Sequence, residues 1–388
     1  MGKEGPAKAS VRYGFLIWEI TKVIRDLAMN EIMYRIKGMK HLTKQRDTDL
    51  DRFILALHGS ALFQLLRSGV TLNVFAVLHE AGQLELEDLA QGTKVSVEKL
   101  EPLVFGLSSI GLLFRDRNQI SNASIITEFF ERGLWELVRS MVDLQAAIMY
   151  RGQEKYPESI INKRNCGLQM FPGEGETIYE RLSFDENLRS IFFKYMQMYS
   201  KFAAELLLDK VDFTGRRQIL DVGGGGGAVA AAIASRYLES QIKIIDKDFV
   251  SEIATSYLSK RHLGNRVTFE ARDIFESEFP AGYDDVLFVH QLVIWGEKEN
   301  RTLLSKAHDC LNTGGRVIIF NSMSNDDRTG PLMAGLDTVY FQAIATGQGQ
   351  IYPYRAYEEW LADVGFSAIK RIPCDSWTPH GIVLAEKA

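Results

Sequence analysis

Between residues 219 and 228 the chain reads ILDVGGGGGA, with five consecutive glycines directly after an apolar run that ends in Asp221 and Val222. So bare a backbone lets a ligand's charged groups approach the main chain where a following helix begins. Two further acids fall downstream, Asp246 in IKIIDKD and Asp273 in FEARDIFE. Carboxylates of this kind can accept hydrogen bonds from sugar hydroxyls or an amino group, or pair with a cation. His290, in FVHQL, adds a side chain able to take a proton near neutral pH.

The loop spacing admits two ligands. Gly223-x-Gly225-x-x-Ala228 satisfies the dinucleotide fingerprint, in which glycines make room for a pyrophosphate. Asp221, Gly223, Gly225 and Gly227 also form the acid-headed D-x-G-x-G-x-G loop of S-adenosylmethionine enzymes. The acids decide between them. Each is expected at the carboxyl end of a successive strand, where open α/β sheets bind ligands. Asp221 then faces the positive methionine end, and Asp246 takes both ribose hydroxyls. Asp273 accepts the adenine amino group, with Ile274 and Phe275 sandwiching the ring. Three acids in this order favour S-adenosylmethionine over NAD.

Strand–helix alternation begins near residue 216. Strands are expected at RQILDVG, IKIID, RVTFEARD, DDVLFVH, RVIIF, SAIKRIP and GIVLAEK, with helices between the first six. The last two lie so close together that the terminal strand must return as an antiparallel hairpin. The expected fold class is therefore α/β, a Rossmann-like seven-stranded sheet of the class I methyltransferase type with a mostly helical N-terminal domain. Three segments follow: a helical arm over 1–50, a helical domain over 51–210, and a cofactor-binding catalytic domain over 211–388. In the arm, Ile17, Ile20, Ile24 and Leu27 are spaced as an apolar stripe, and Arg35, Lys37, Lys40, Lys44 and Arg46 make its end basic. Residues 84–124 read as helix, turn, helix and a hairpin around FRDRNQIS, a winged-helix-like unit. Its would-be recognition helix carries two glutamates and one lysine, which does not suit base reading. In the long helix LRSIFFKYMQMYSKFAAELLL, Tyr195, Met198 and Tyr199 are candidate pocket residues, as are Tyr352 and Arg355 in GQGQIYPYRAYEEW.

A net charge of −5 argues against sequence-independent nucleic-acid binding. The three cysteines, Cys166, Cys310 and Cys374, include no C-x-x-C pair, which suits a reducing compartment and excludes a thiolate zinc site. His290, His380 and Asp337 lack metal-ligand spacing, so no metal is expected. No stretch reaches the roughly 20 apolar residues of a membrane span. A cytoplasmic protein is expected.

The chain resembles the small-molecule O-methyltransferase family of plants and bacteria that carries an N-terminal dimerisation domain. LDVGGGGG is similar to its L-D-V-G-G-G-x-G, Asp246 stands at the acid of its D-L-P, and ARDIFE resembles its G-D-M-F. VIWGEKENRTLLSKAHDCLNTGGRVIIFNSM parallels its H-D-W-x-D segment and following strand, and LADVGF its closing A-G-F. The resemblance covers roughly residues 50–388. It implies a homodimer through the N-terminal domain and S-adenosylmethionine as cofactor, with S-adenosylhomocysteine as product. It places Lys247 and Trp295 among the cofactor's neighbours. It also implies methyl transfer to a small-molecule acceptor in secondary metabolism. Alignment on Trp295 puts Val293 where the family has its catalytic histidine, and Asn321 where it has a glutamate. His290 and Asn321 are therefore the candidate catalytic residues. Transfer to oxygen is the main expectation. Transfer to carbon or nitrogen, as in an enolisable 2-oxo acid or an amine, is the alternative. A cofactor-sensing winged-helix regulator without catalysis is the reading from a different class.

Overall fold

A computed structural model describes residues 44–388. The apolar stripe of the arm and almost all of segment 1–50 lie outside the described residues. The chain divides into two compact units, between Ala123 and Ser124.

The first unit contains α1 (Lys44–Leu57), α2 (Gly59–Thr71), α3 (Val74–Ala81), β1 (Gln83–Leu84), α4 (Leu86–Thr93), α5 (Val97–Ser109), β2 (Leu113–Asp116) and β3 (Gln119–Asn122). Val74, Phe75, Leu78, Leu89, Leu100, Val104, Leu107 and Ile120 are fully buried, at helical spacing in α3 (Val74, Phe75, Leu78) and in α5 (Leu100, Val104, Leu107). The expected hairpin pairs Leu113 with Asn122 and Asp116 with Gln119, and β1 adds a third, antiparallel strand. Arg117 turns the hairpin in the left-handed region, with φ of 52°.

The second unit opens with α6 (Ser124–Glu131), α7 (Trp135–Leu144) and α8 (Tyr156–Asn162), followed by the 25-residue α9 (Glu186–Lys210). Asp185 starts α9 by accepting the Leu188 amide at 3.0 Å, a carboxylate N-cap. The sheet then alternates with helices: β4 (Gln218–Val222), α10 (Ala228–Arg236), β5 (Gln241–Asp246), α11 (Ser251–Ser259), β6 (Val267–Ala271), β7 (Tyr283–Val289), α12 (Glu297–Cys310), β8 (Leu311–Ser322), α13 (Leu332–Tyr340), α14 (Tyr354–Val364), β9 (Phe366–Pro373) and β10 (His380–Lys387). All seven expected strands are present. Their order is β6-β5-β4-β7-β8-β10-β9, with β10 antiparallel to both neighbours, as the short last connection required.

One connection departs from expectation. No helix lies between β6 and β7; Asp273 caps a turn by accepting the Phe275 amide at 2.8 Å, and Pro280 and Gly282 follow before β7 begins. The compact units also divide upstream of the expected boundary at 210/211. The reason is α9, which packs along α7 and α10 and ties the helices after Ser124 to the sheet.

Adjacent residues of β4 feed opposite cores. Ile219 joins Ile233, Ile244 and Leu287 on one face, while Leu220 and Val222 join Ile245, Phe288 and Trp360 on the other. A sheet covered on both faces explains why these strands read as apolar runs rather than alternating ones. Arg316 holds β8 to β7 by donating Nε and Nη2 to the two oxygens of buried Asp285, at 2.8 and 2.7 Å. Such a fork needs both partners, since removing one leaves a buried charge. Among the described residues no single helix is long and apolar enough to cross a membrane.

Candidate active site

The carboxyl ends of β4, β5 and β7 open onto a cavity of about 480 Å³ in the second unit, roofed by α9. Asp221, Gly223, Gly225, Asp246, Lys247, Ile274, Phe275, His290 and Trp295 all line it, so one space unites residues spread over 75 positions. Gly227 does not line the wall. It starts α10 in the left-handed region, and a Cβ there would lie 3.0 Å from Ile244 Cδ1.

Asp221 is fully buried, and neither of its carboxylate oxygens has a hydrogen-bond partner. Burial, reinforced by the nearby Asp246 charge, pushes its carboxyl up to about 7. A buried acceptor left empty in this way costs free energy unless a cation or donor meets it. The loop leaves room for one. A Cβ on Gly224 would lie 2.4 Å from Asp221 Oδ2, and one on Gly223 would lie 2.6 Å from the Gln291 side chain. Gly226 is different, because a Cβ there makes an ordinary 3.6 Å contact with Ile253. The spacing rule D-x-G-x-G-x-G marks only the alternate glycines and so passes over Gly224.

Asp246 holds the loop in place by accepting the Gly225 amide at 2.8 Å and its neighbour Lys247's amide at 2.7 Å. Burial raises its carboxyl above the ordinary range. Asp273 falls outside the cavity wall. Its Oδ1 caps the turn over Phe275, and its Oδ2 pairs with Lys247 Nζ at 2.6 Å, so both oxygens are already engaged. The turn it caps presents Ile274 and Phe275, and Phe275 meets Trp295 edge to face at 4.8 Å. Lys306 of α12 steadies the same turn by donating to the carbonyls of Ile274, Phe275 and Ser277.

The far wall mixes aromatic and polar side chains. From α9 the cavity receives Ser190, Phe192, Phe193, Lys194, Met196, Gln197 and Ser200. Tyr195, Met198 and Tyr199, expected there, do not line it. Tyr195 stacks on Tyr199 at 5.3 Å, and Tyr199 in turn packs on the rings of His290 and His380, at 4.8 and 5.3 Å. Tyr352 and Arg355 also fall outside. Tyr352 is buried behind the wall, donating to the Trp295 carbonyl at 2.9 Å, and Arg355 is exposed at the start of α14.

His290 sits one residue past β7 with φ of 55°, an uncommon conformation outside glycine. Its amide donates to the Phe320 carbonyl at 2.9 Å, fixing the ring beside β8. Burial pushes its imidazole down to about 4. Nε2 faces His380 Nε2 at 2.8 Å, and among the described residues Nδ1 has no partner. Asn321 does not reach the cavity. It is fully buried in β8, with Nδ2 donating to Tyr357 Oη at 3.3 Å. Val293 is buried against Ala334 and Ile351. Among the described residues no group of three or more histidine, cysteine, aspartate or glutamate side chains is placed to hold a metal ion.

Known proteins match this architecture. Residues 138–367 match the family described as O-methyltransferase domain. An L-tyrosine C(3)-methyltransferase from Streptomyces lavendulae is 33% identical over 347 residues, 89% of this chain and 95% of that protein. A 3-hydroxy-5-methyl-1-naphthoate 3-O-methyltransferase from Streptomyces sahachiroi is 25% identical, across 84% of this chain and 92% of its own length. Among solved structures, the apo form of SibL, an S-adenosylmethionine-dependent methyltransferase, is 36% identical with a TM-score of 0.79, covering 87% of this chain and 99% of that one. The chain belongs to the O-methyltransferase domain family, whose members are S-adenosylmethionine-dependent methyltransferases.

Proposed function

We propose that the protein methylates a small phenolic acceptor of specialised metabolism, with S-adenosylmethionine as the donor. The observation that carries this reading is the unpartnered, buried Asp221 carboxylate in a glycine cradle, continuous with a ring-lined space beside His290. The cofactor supplies an electrophilic methyl on a sulfonium sulfur. Asp221 takes its cationic end, Asp246 the ribose hydroxyls, and Ile274, Phe275 and Trp295 the adenine, with Lys247 at the rim. Phe193 and Met196 pack against the acceptor ring and exclude water. His290 receives the acceptor's hydroxyl proton at Nδ1. Enclosure of both partners in one cavity supplies the in-line proximity on which methyl transfer chiefly depends.

The phenolic oxygen is the expected site of transfer. A second reading, transfer to the ring carbon ortho to the hydroxyl, is favoured by a specific observation. Val293 and Asn321 replace the expected base pair, and the Streptomyces lavendulae relative is named for methylating C(3) of tyrosine. Both readings need the hydroxyl deprotonated. The protein is expected to work in the cytoplasm as a homodimer joined through the N-terminal domain, for which the exposed Phe53 and Leu57 of α1 supply an apolar face.

Incubation with methyl-labelled S-adenosylmethionine and a panel of phenols, amines and 2-oxo acids tests the proposal. Label in a phenol, with the methyl carbon resonance telling ether from ring methyl, is the expected result. Label only in amines or 2-oxo acids rules it out.

A further inference from the structure

His290 and His380 lie 90 residues apart, on β7's exit and the first position of β10, yet their Nε2 atoms are 2.8 Å from each other. The contact continues outward. His380 Nδ1 is 2.6 Å from Thr378 Oγ1, and Thr378 Oγ1 is 2.9 Å from Ser376 Oγ. Thr378 and His380 are buried, whereas Ser376 is half-exposed, so the chain of polar atoms runs from the cavity wall to the surface. Nothing charged is needed to hold it together. Tyr199 covers both imidazoles, and Phe320 stacks on His380 at 4.9 Å.

We propose that His290, His380, Thr378 and Ser376 form a proton path that carries the acceptor's hydroxyl proton from the cavity to solvent. The inference rests on the phenol reading above. Burial holds both rings neutral, His290 near 4 and His380 further below the usual histidine range, partly because it faces His290. A base that weak, storing a phenol proton by itself, would work against roughly a million-fold equilibrium. A relay stores nothing. In the tautomer with hydrogen on His290 Nε2 and His380 Nδ1, the acceptor proton enters at His290 Nδ1. The Nε2 proton of His290 passes to His380 Nε2, and the Nδ1 proton of His380 passes to Thr378 Oγ1. The threonine proton moves to Ser376 Oγ, and the serine proton leaves to water. The electron pair of the broken O–H bond stays on the acceptor oxygen, and both imidazoles end neutral in the opposite tautomer. His380 and Thr378 are positioning residues here, since they act through His290.

The test compares two acceptors of the same shape: a phenol that is un-ionised at the assay pH, and a nitro-substituted analogue that is already ionised. Thr378→Val removes the relay hydroxyl at nearly constant volume. It is expected to lower kcat about 100-fold on the un-ionised phenol and less than about 3-fold on the ionised one. Thr378→Ser keeps the hydroxyl and should retain wild-type rates on both. His380→Gln, which cannot shuttle a proton between two ring nitrogens, should repeat the valine pattern. Calorimetric binding of S-adenosylhomocysteine, unchanged in every variant, reports that the fold is intact. Equal loss on both acceptors, or no loss on either, overturns the relay alone. Absence of wild-type turnover on any phenol overturns the phenol reading and the relay together.

Discussion

At the ends of β4 and β5 the cavity wall is main chain and carboxylate, with glycines at 223–226 and acids at 221 and 246 within one loop and the next strand. On the α9 side it mixes the rings of Phe192 and Phe193 with Met196 and the polar Lys194, Gln197 and Ser200, and beyond them lies His290, backed by the stacked Tyr195 and Tyr199 and by His380. The first region takes its geometry from local chain conformation and the Asp246–Gly225 hydrogen bond. The second is assembled from α9, β7, β8 and β10, and its chemistry depends on partners that meet only in the fold. Binding of a common cofactor and recognition of a particular acceptor are thus entrusted to different kinds of structure. The two regions should also be separable by mutation.

The largest expected effect belongs to the aromatic side. His290→Ala should lower kcat on un-ionised phenols by about 10²–10⁴-fold while leaving S-adenosylhomocysteine affinity within about 2-fold. An unchanged kcat removes His290 as the base.

A smaller effect, on the glycine side, follows from Asp221. Its raised value means that between about pH 4 and 7 the folded chain holds a proton that the unfolded chain has released. The ligand-free protein therefore loses stability as pH rises through that window. Binding of a cation requires the carboxylate, so the sign reverses for the ligand. Affinity for S-adenosylhomocysteine should weaken roughly tenfold per pH unit below 7 and level off above it. Asp221→Asn should flatten this profile, which calorimetry across pH can measure.

The smallest effect sharpens the border of the acceptor region. Arg355→Ala and Tyr352→Phe should change acceptor KM by no more than about 2-fold, because Arg355 is exposed and Tyr352 lies behind Trp295. A tenfold rise in KM would extend the pocket to the start of α14.

The same contrast explains what could be read in the sequence. Asp221, Gly223, Gly225 and Asp246 are legible at the cavity wall because the spacing of the loop and its flanking strand ends marks them, whereas Gly224 and Gly227 exchange places there. The seven strands are legible because both sheet faces are covered. On α9 the reading chose Tyr195, Met198 and Tyr199, while the cavity receives Phe193, Met196, Gln197 and Ser200. A uniformly apolar helix does not announce which side meets a ligand, since several sides are buried. An acid at a strand end suits a ligand and a turn cap equally in sequence, and in the fold Asp273 caps the Phe275 turn and pairs with Lys247 just outside the cavity wall. Sequence spacing groups His290 and His380 only as weak metal candidates and gives no sign that their rings, 90 residues apart, meet directly. Only the insertion of β10 beside β8 brings them together.

The most direct measurement is calorimetry of S-adenosylhomocysteine and NADH with the wild-type protein and Asp246→Ala at pH 8. Saturable S-adenosylhomocysteine binding is expected, together with none for NADH and an affinity about 100-fold weaker in the variant, the loss of charge-assisted hydrogen bonds. Absence of S-adenosylhomocysteine binding, or an affinity that Asp246→Ala leaves unchanged, would contradict the assignment of this cavity.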